Sequence, residues 1–203
     1  MSFFDDVPVP DRPRQPENVP PAWSGPPPDE LPEVVSVGQF LKRSGQMVMA
    51  VKSVEVFSTG CWINLVWSVR RAKETDREWS LLTGRSFDHP HRANAYPDDG
   101  GLRIGVAFAD GRKTTTTQLH PGMFDGTEPV AGPVLLRSGG GGGSSSDSHA
   151  VSNSTLWLWP LPAEGDIRVV VQWDDLGMAE QSVVIEGGLL AEAAGKVQKY
   201  WVS

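Results

Sequence analysis

Apolar and polar residues alternate with a period of two along much of this chain from Val34 onward, as in strands with one buried face. In residues 167–174, Ile167, Val169, Val171 and Trp173 fall on one side, and Arg168, Gln172 and Asp174 on the other; only Val170 breaks the pattern. In 61–71, Ile63, Leu65, Trp67 and Val69 alternate with Asn64, Ser68 and Arg70, and in 102–108 the apolar set is Leu102, Ile104, Val106 and Phe108. Leu156-Trp157-Leu158-Trp159 is apolar on both sides, which suits a strand covered on two faces. Pro160 and Pro162 cannot donate to a ladder and Glu164-Gly165-Asp166 offers a turn, so 154–174 is expected to be a β-hairpin. It holds three of the eight Trp, and rings of that size are expected to anchor the core.

Around this stretch, Val35, Val37 and Leu41 mark a first strand, with a turn at Ser44-Gly45. In 47–57, Val48, Ala50, Val54 and Val56 are expected to share a face ahead of a turn at Ser58-Thr59-Gly60. Asp110-Gly111 is a two-residue hairpin signal with 113–118 as the return strand. A short strand follows at Val134-Leu135-Leu136, then a Gly/Ser connection over 138–148; a last strand is expected over 182–186. Thr75 and Glu78 have capping-box spacing, which predicts a short helix ending near Gly84. From about Leu189 a second helix is expected, because Leu190, Ala193, Ala194, Val197 and Trp201 recur at three and four, with Glu192 and Lys196 on the wet side. Eight or nine short strands with an inserted and a C-terminal helix predict a mainly β fold, an antiparallel β-sandwich of jelly-roll-like form.

Residues 1–33 follow another rule. They hold ten of the 17 Pro and seven acidic residues against Arg12 and Arg14, and so contribute −5 of the net charge of −7. Such a head is expected to be disordered or extended, with 34–203 forming a single domain. Pro residues flank Trp23 on both sides, so the segment either docks in an aromatic groove of another protein or folds Trp23 back onto the domain. The negative charge argues against a nucleic-acid partner. No apolar run reaches the roughly 18 residues of a membrane span, and the first residues lack the basic start and apolar core of a signal peptide. The single Cys61 cannot form an internal disulfide, so a cytoplasmic setting is expected, with Cys61 a small buried hydrophobe.

The Pro-rich head with Pro21-Ala22-Trp23-Ser24-Gly25-Pro26-Pro27, the LRIGVAFADGR stretch at 102–112, the glycine run at 139–143 and WLWPLP at 157–162 together resemble a group of small, uncharacterised actinobacterial proteins. The resemblance implies a fold and an origin. It carries over no activity, cofactor, partner or site residue.

Candidate chemistry concentrates in the loops 85–101 and 119–132, long enough to be functional. His89 and His91 could face one metal ion from an extended segment, with Asp98 and His120 nearby, but no complete ligand set is legible and no metal or cofactor is expected. The glycine run lacks the Gly-Lys-Ser/Thr of a phosphate loop. Asp98-Asp99 and Asp174-Asp175 precede Gly and read as turn formers before they read as acid and base. Exposed Trp could stack on sugars; Trp67 and Trp173 fall on inward faces, leaving Trp62 and Trp79 open. The expectation is a non-enzymatic protein acting through protein contacts. The alternative is a carbohydrate or small-molecule binding or hydrolytic domain with its site in the two loops; the candidate binding residues are Trp23, Trp79, His89, His91, Asp98 and His120.

Overall fold

The computed structural model describes residues 19–87, 101–123, 128–138 and 143–201, with the backbone alone at 85–87 and 138. In chain order the elements are β1 (Glu30–Leu31), β2 (Glu33–Arg43), β3 (Met47–Val56), β4 (Cys61–Arg70), α1 (Asp76–Phe87), β5 (Leu102–Phe108) and β6 (Lys113–Thr115). There follow β7 (Val134–Ser138), β8 (Gly143–Ser145), β9 (His149–Trp159), β10 (Ile167–Trp173), β11 (Met178–Ile185), α2 (Gly187–Ala194) and β12 (Gln198–Lys199). The fold is mainly β, as expected. A six-stranded sheet runs β2-β3-β4-β9-β7, with β8 also on β9, and a four-stranded sheet runs β11-β10-β5-β6. Both are antiparallel, they pack together without closing a barrel, and β1 and β12 form a separate pair.

The alternating stripes meet between the sheets. Ile63, Leu65, Trp67 and Val69 of β4 face Ile104 and Val106 of β5 and Val169, Val171 and Trp173 of β10 in one core of buried residues. Trp67 and Trp173 touch edge to face across the layers, with ring centroids 6.1 Å apart, an arrangement aromatic quadrupoles favour. At β9 both faces are covered. Leu156 and Leu158 point into the core, while Trp157 on the outer side packs against Phe57 and Trp62 at 5.8 and 6.4 Å and donates its indole N–H to the Ala22 carbonyl at 3.1 Å.

Several expectations need correction. Residues 154–174 are not a hairpin: β9 pairs with β4, β7 and β8, β10 pairs with β5 and β11, and the connection through Pro160 and Pro162 crosses from one sheet to the other. Residues apolar on both faces suit a central strand of the larger sheet, which leaves β10 to find other neighbours. In β3 the register shifts between Val51 and Ser53. That bulge reverses the parity, so Met47, Met49 and Val51 share the inner face with Val54 and Val56, and Val48 does not. The return strand after Asp110-Gly111 ends at Thr115, and the Gly/Ser connection contains β8.

Both helices differ in length from expectation. The capping box forms as predicted, Thr75 Oγ1 accepting from the Glu78 N–H at 3.3 Å and Glu78 from the Thr75 N–H at 2.8 Å, but α1 continues past Gly84 to Phe87. α2 stops at Ala194, with Gly195 closing onto the Ala191 carbonyl. Val197 and Trp201 therefore leave the stripe, and Trp201 is 79 % exposed.

What draws the chain out of α2 is the other end of the sequence. The structured part begins before the boundary expected at Glu33: Glu30 and Leu31 pair with Lys199 and Gln198, and Tyr200 donates to the Asp29 carbonyl at 2.8 Å. Glu30 is 3 % exposed and fully engaged, accepting from the Ser58 N–H (2.9 Å), the Ser58 hydroxyl (2.6 Å) and Lys199 Nζ (3.0 Å). Burial pushes its carboxyl up, yet the hydrogen bonds from Ser58 and Lys199 and the charge of Lys199 outweigh that and leave it below the usual glutamate value.

Two predictions follow from these contacts. A methyl group on Gly60 would lie 2.5 Å from the Leu158 carbonyl and 2.7 Å from the Trp157 ring, whereas one on Gly45 meets nothing within 4 Å. Gly60→Ala should therefore cost about 1–3 kcal/mol in urea unfolding, with Gly45→Ala close to wild type; equal stability of the two would contradict this packing. Because the Glu30 pKa is depressed on folding, its contribution is present above the unfolded value of roughly 4.3 and is lost as pH falls through the lower folded value. Unfolding midpoints of wild type should fall more steeply than those of Glu30→Gln below about pH 4.3.

Candidate functional site

The candidate site lies on the outer face of the four-stranded sheet, and the alternation that fills the core builds it. With Ile104, Val106, Val169 and Val171 turned inward, Arg103, Gly105, Ala107, Arg168, Val170 and Gln172 must face out. Cross-strand register orders them in rows: Lys113, Ala107 and Arg168; Thr115, Gly105 and Val170; then Arg103 beside Gln172. The middle row carries the smallest side chains. A Cβ on Gly105 would lie 3.1 Å from the Thr114 carbonyl, so glycine leaves a dip there. The result is a concavity of about 240 Å³ whose lining includes Arg103, Lys113, Arg168, Gln172, Thr115 and Glu180.

Its electrostatics oppose those of the chain as a whole. Three cations line it against the single carboxylate of Glu180, while the protein carries −7. Arg103 is paired with Asp174, which also accepts from Gln172 Nε2 at 2.7 Å. The Gln172 amide, with the Arg103 guanidinium, holds the Asp174 carboxyl below its ordinary range. Lys113 and Arg168 have no ion-pair partner among the described residues. A volume below the roughly 300–1,000 Å³ of small-molecule pockets suits one or two side chains better than a whole cofactor.

The residues singled out from the sequence do not gather here. His89, His91 and Asp98 lie outside the described residues. His120 is 9 % exposed, and its Nε2 has no hydrogen-bond partner among the described residues. Trp79, considered as an open sugar platform, is buried and donates to the Ser146 carbonyl at 2.7 Å, which corrects that expectation. Trp23 is half-buried, next to the Ala22 carbonyl that receives the Trp157 N–H. Asp174 and Asp175 form a short 3-10 turn closed by Gly177. Among the described residues no group of three or more His, Cys, Asp or Glu could hold a metal ion, and no helix is long and apolar enough to cross a membrane.

One contact was invisible in the sequence. Ser68 Oγ and His149 Nε2 lie 2.8 Å apart on the solvent face of the larger sheet, 81 residues apart in the chain. A nucleophilic serine needs its base oriented by a third group and an oxyanion site beside it; this exposed pair has neither among the described contacts and acts as a cross-strand link. The concavity was missed for a similar reason. Its cations sit on three strands, and only the polar sides of 102–108 and 167–173, together with Gly105, hinted at a shared face. No protein-family model matches the chain, and no curated protein matches it significantly.

Cys61 offers no alternative chemistry. It is fully buried, and burial pushes its thiol up to about 12. Native protein at pH 8 should leave Cys61 unlabelled by iodoacetamide, with one thiol per chain reacting after unfolding; labelling of the native state at a free-thiol rate would contradict the burial.

Proposed function

We propose that this protein is a non-catalytic binding domain whose four-stranded sheet receives an acidic, extended polypeptide segment on its outer face. The observation that carries the reading is the set of Arg103, Lys113 and Arg168 around the Gly105 dip, in a chain that is otherwise acidic. Guanidinium and ammonium groups at the rim attract carboxylates, and a shallow floor of Gly105, Ala107 and Val170 lets a backbone approach closely. Lysine and the paired arginine supply attraction and orientation, and a single carboxylate in the lining offers no acid and base pair. The jelly-roll-like form belongs to the same proposal; three passages of the chain between the sheets, after β4, β6 and β9, support it. A docking role for the Pro-rich head is kept for residues 1–18, outside the described residues, since the Ala22 carbonyl is already engaged by Trp157.

A fluorescein-labelled octaglutamate peptide tests the face by anisotropy. The double variant Arg168→Glu, Lys113→Glu should bind at least about tenfold more weakly, a change of about 1.4 kcal/mol. Wild-type affinity should fall as salt rises from 50 to 300 mM, as expected for exposed charges. Unchanged affinity in the folded double variant would sink the reading.

A further inference from the structure

Six buried side-chain polar atoms have no hydrogen-bond partner among the described residues, and three of them belong to one side of the core. Arg137 pairs with Leu156, and Leu135 with Leu158, so register turns Arg137 inward with the core leucines of β7 and β9. Ser154 is the next inward residue of β9 and lies diagonal to Arg137, a separation of roughly 7–8 Å between Cα atoms. Thr114 faces inward from β6, paired with Val106 and 1 % exposed. β6 lies against β7, the two strands approaching within 8 Å between Cα atoms although they belong to different sheets. Arg137 and Thr114 thus stand on the two edge strands that approach each other, with Ser154 one strand in from that edge, and the side chain of each has a buried polar atom without a partner among the described residues.

The arginine decides what the place is for. Other buried polar groups show how this fold satisfies them: Glu30 has Ser58 and Lys199, and the Thr83 hydroxyl donates to the Trp79 carbonyl at 2.8 Å. Hydroxyls left over can share a water molecule. A guanidinium stays charged inside a protein, and a buried charge without a counter-charge is strongly unfavourable. No carboxylate among the described residues forms an ion pair with Arg137, and burial lowers its pKa from the ordinary arginine value. Arg137 is half-buried as a residue, so its side chain retains contact with solvent from which a small ligand could enter.

We propose that Arg137, Ser154 and Thr114 form a binding site for a small oxyanion, held between the two sheets at the β6–β7 edge. The guanidinium fork supplies charge and paired N–H donors, and the two hydroxyls donate to the remaining oxygens. Phosphate and carboxylate groups share that chemistry. The site adjoins the outer-face concavity through Thr114, which also lines that concavity, but differs from it in that Arg137 and Ser154 belong to the other sheet and face inward by register.

Thermal unfolding of the full chain in phosphate, in acetate and in chloride at equal ionic strength tests the site. Phosphate or acetate at high saturation should raise the wild-type midpoint by about 5 °C above chloride, and the anion that does so identifies the tetrahedral or the planar group. Arg137→Met should lose this increment and, in chloride, should melt close to wild type because a partly buried cation without an ion-pair partner among the described residues has been removed. Thr114→Val and Ser154→Ala, which keep the arginine, should each weaken the anion response by about tenfold or more in titration midpoint, as expected for one lost hydrogen bond to a charged group. No increment with either anion in wild type would overturn the proposal. So would an increment of equal size in Arg137→Met or, should that variant fail to fold, in both hydroxyl variants.

Discussion

Among the described residues the two sheets share no strand ladder, so their association rests mainly on apolar surface, and the edge-to-face contact of Trp67 with Trp173 lies within that surface. Everything else follows from keeping those stripes inward. The polar side of each strand is thereby committed to solvent, which fixes where any recognition surface can be. On the larger sheet the outer side is partly covered, by Phe57, Trp62 and Trp157 and by Ala22. On the smaller sheet it carries the cations and the shallow concavity around Gly105.

That asymmetry between the sheets distinguishes the two proposed sites. An outer face with small residues in the middle and positive charge around them is a poor place for acid and base catalysis and a suitable one for a negatively charged chain segment. The edge between β6 and β7 is a different environment, in which Arg137 is half-buried and its Nε has no partner among the described residues. The two proposed anion sites thus rest on separate physical grounds, long-range attraction in the first case and desolvation in the second.

Strand positions were legible because alternation is a local signal. β4, β5 and β10 lie where the stripes put them, and Thr75 with Glu78 announced α1. Pairing was not legible. The misreading of 154–174 arose because two prolines end β9 whether the chain turns back or crosses to the other sheet, and residues apolar on both faces say only that a strand is central. The extra residue at Lys52 reverses a face without leaving any mark in the pattern. For the candidate sites the limit is sharper: Arg103, Lys113 and Arg168 look like ordinary surface charges until β6, β5 and β10 are set side by side, and Arg137 looks like any polar residue at a strand end until its register against β9 is known.

The pairing of Glu30 with Lys199 has a mechanical consequence. β1 and β12 bring residues 30–31 and 198–199 side by side, so the polypeptide between them is a closed circuit held by noncovalent contacts. The two strands hold Glu30 and Lys199, 169 residues apart in sequence, within one ladder, so strain applied to either is passed directly to the other.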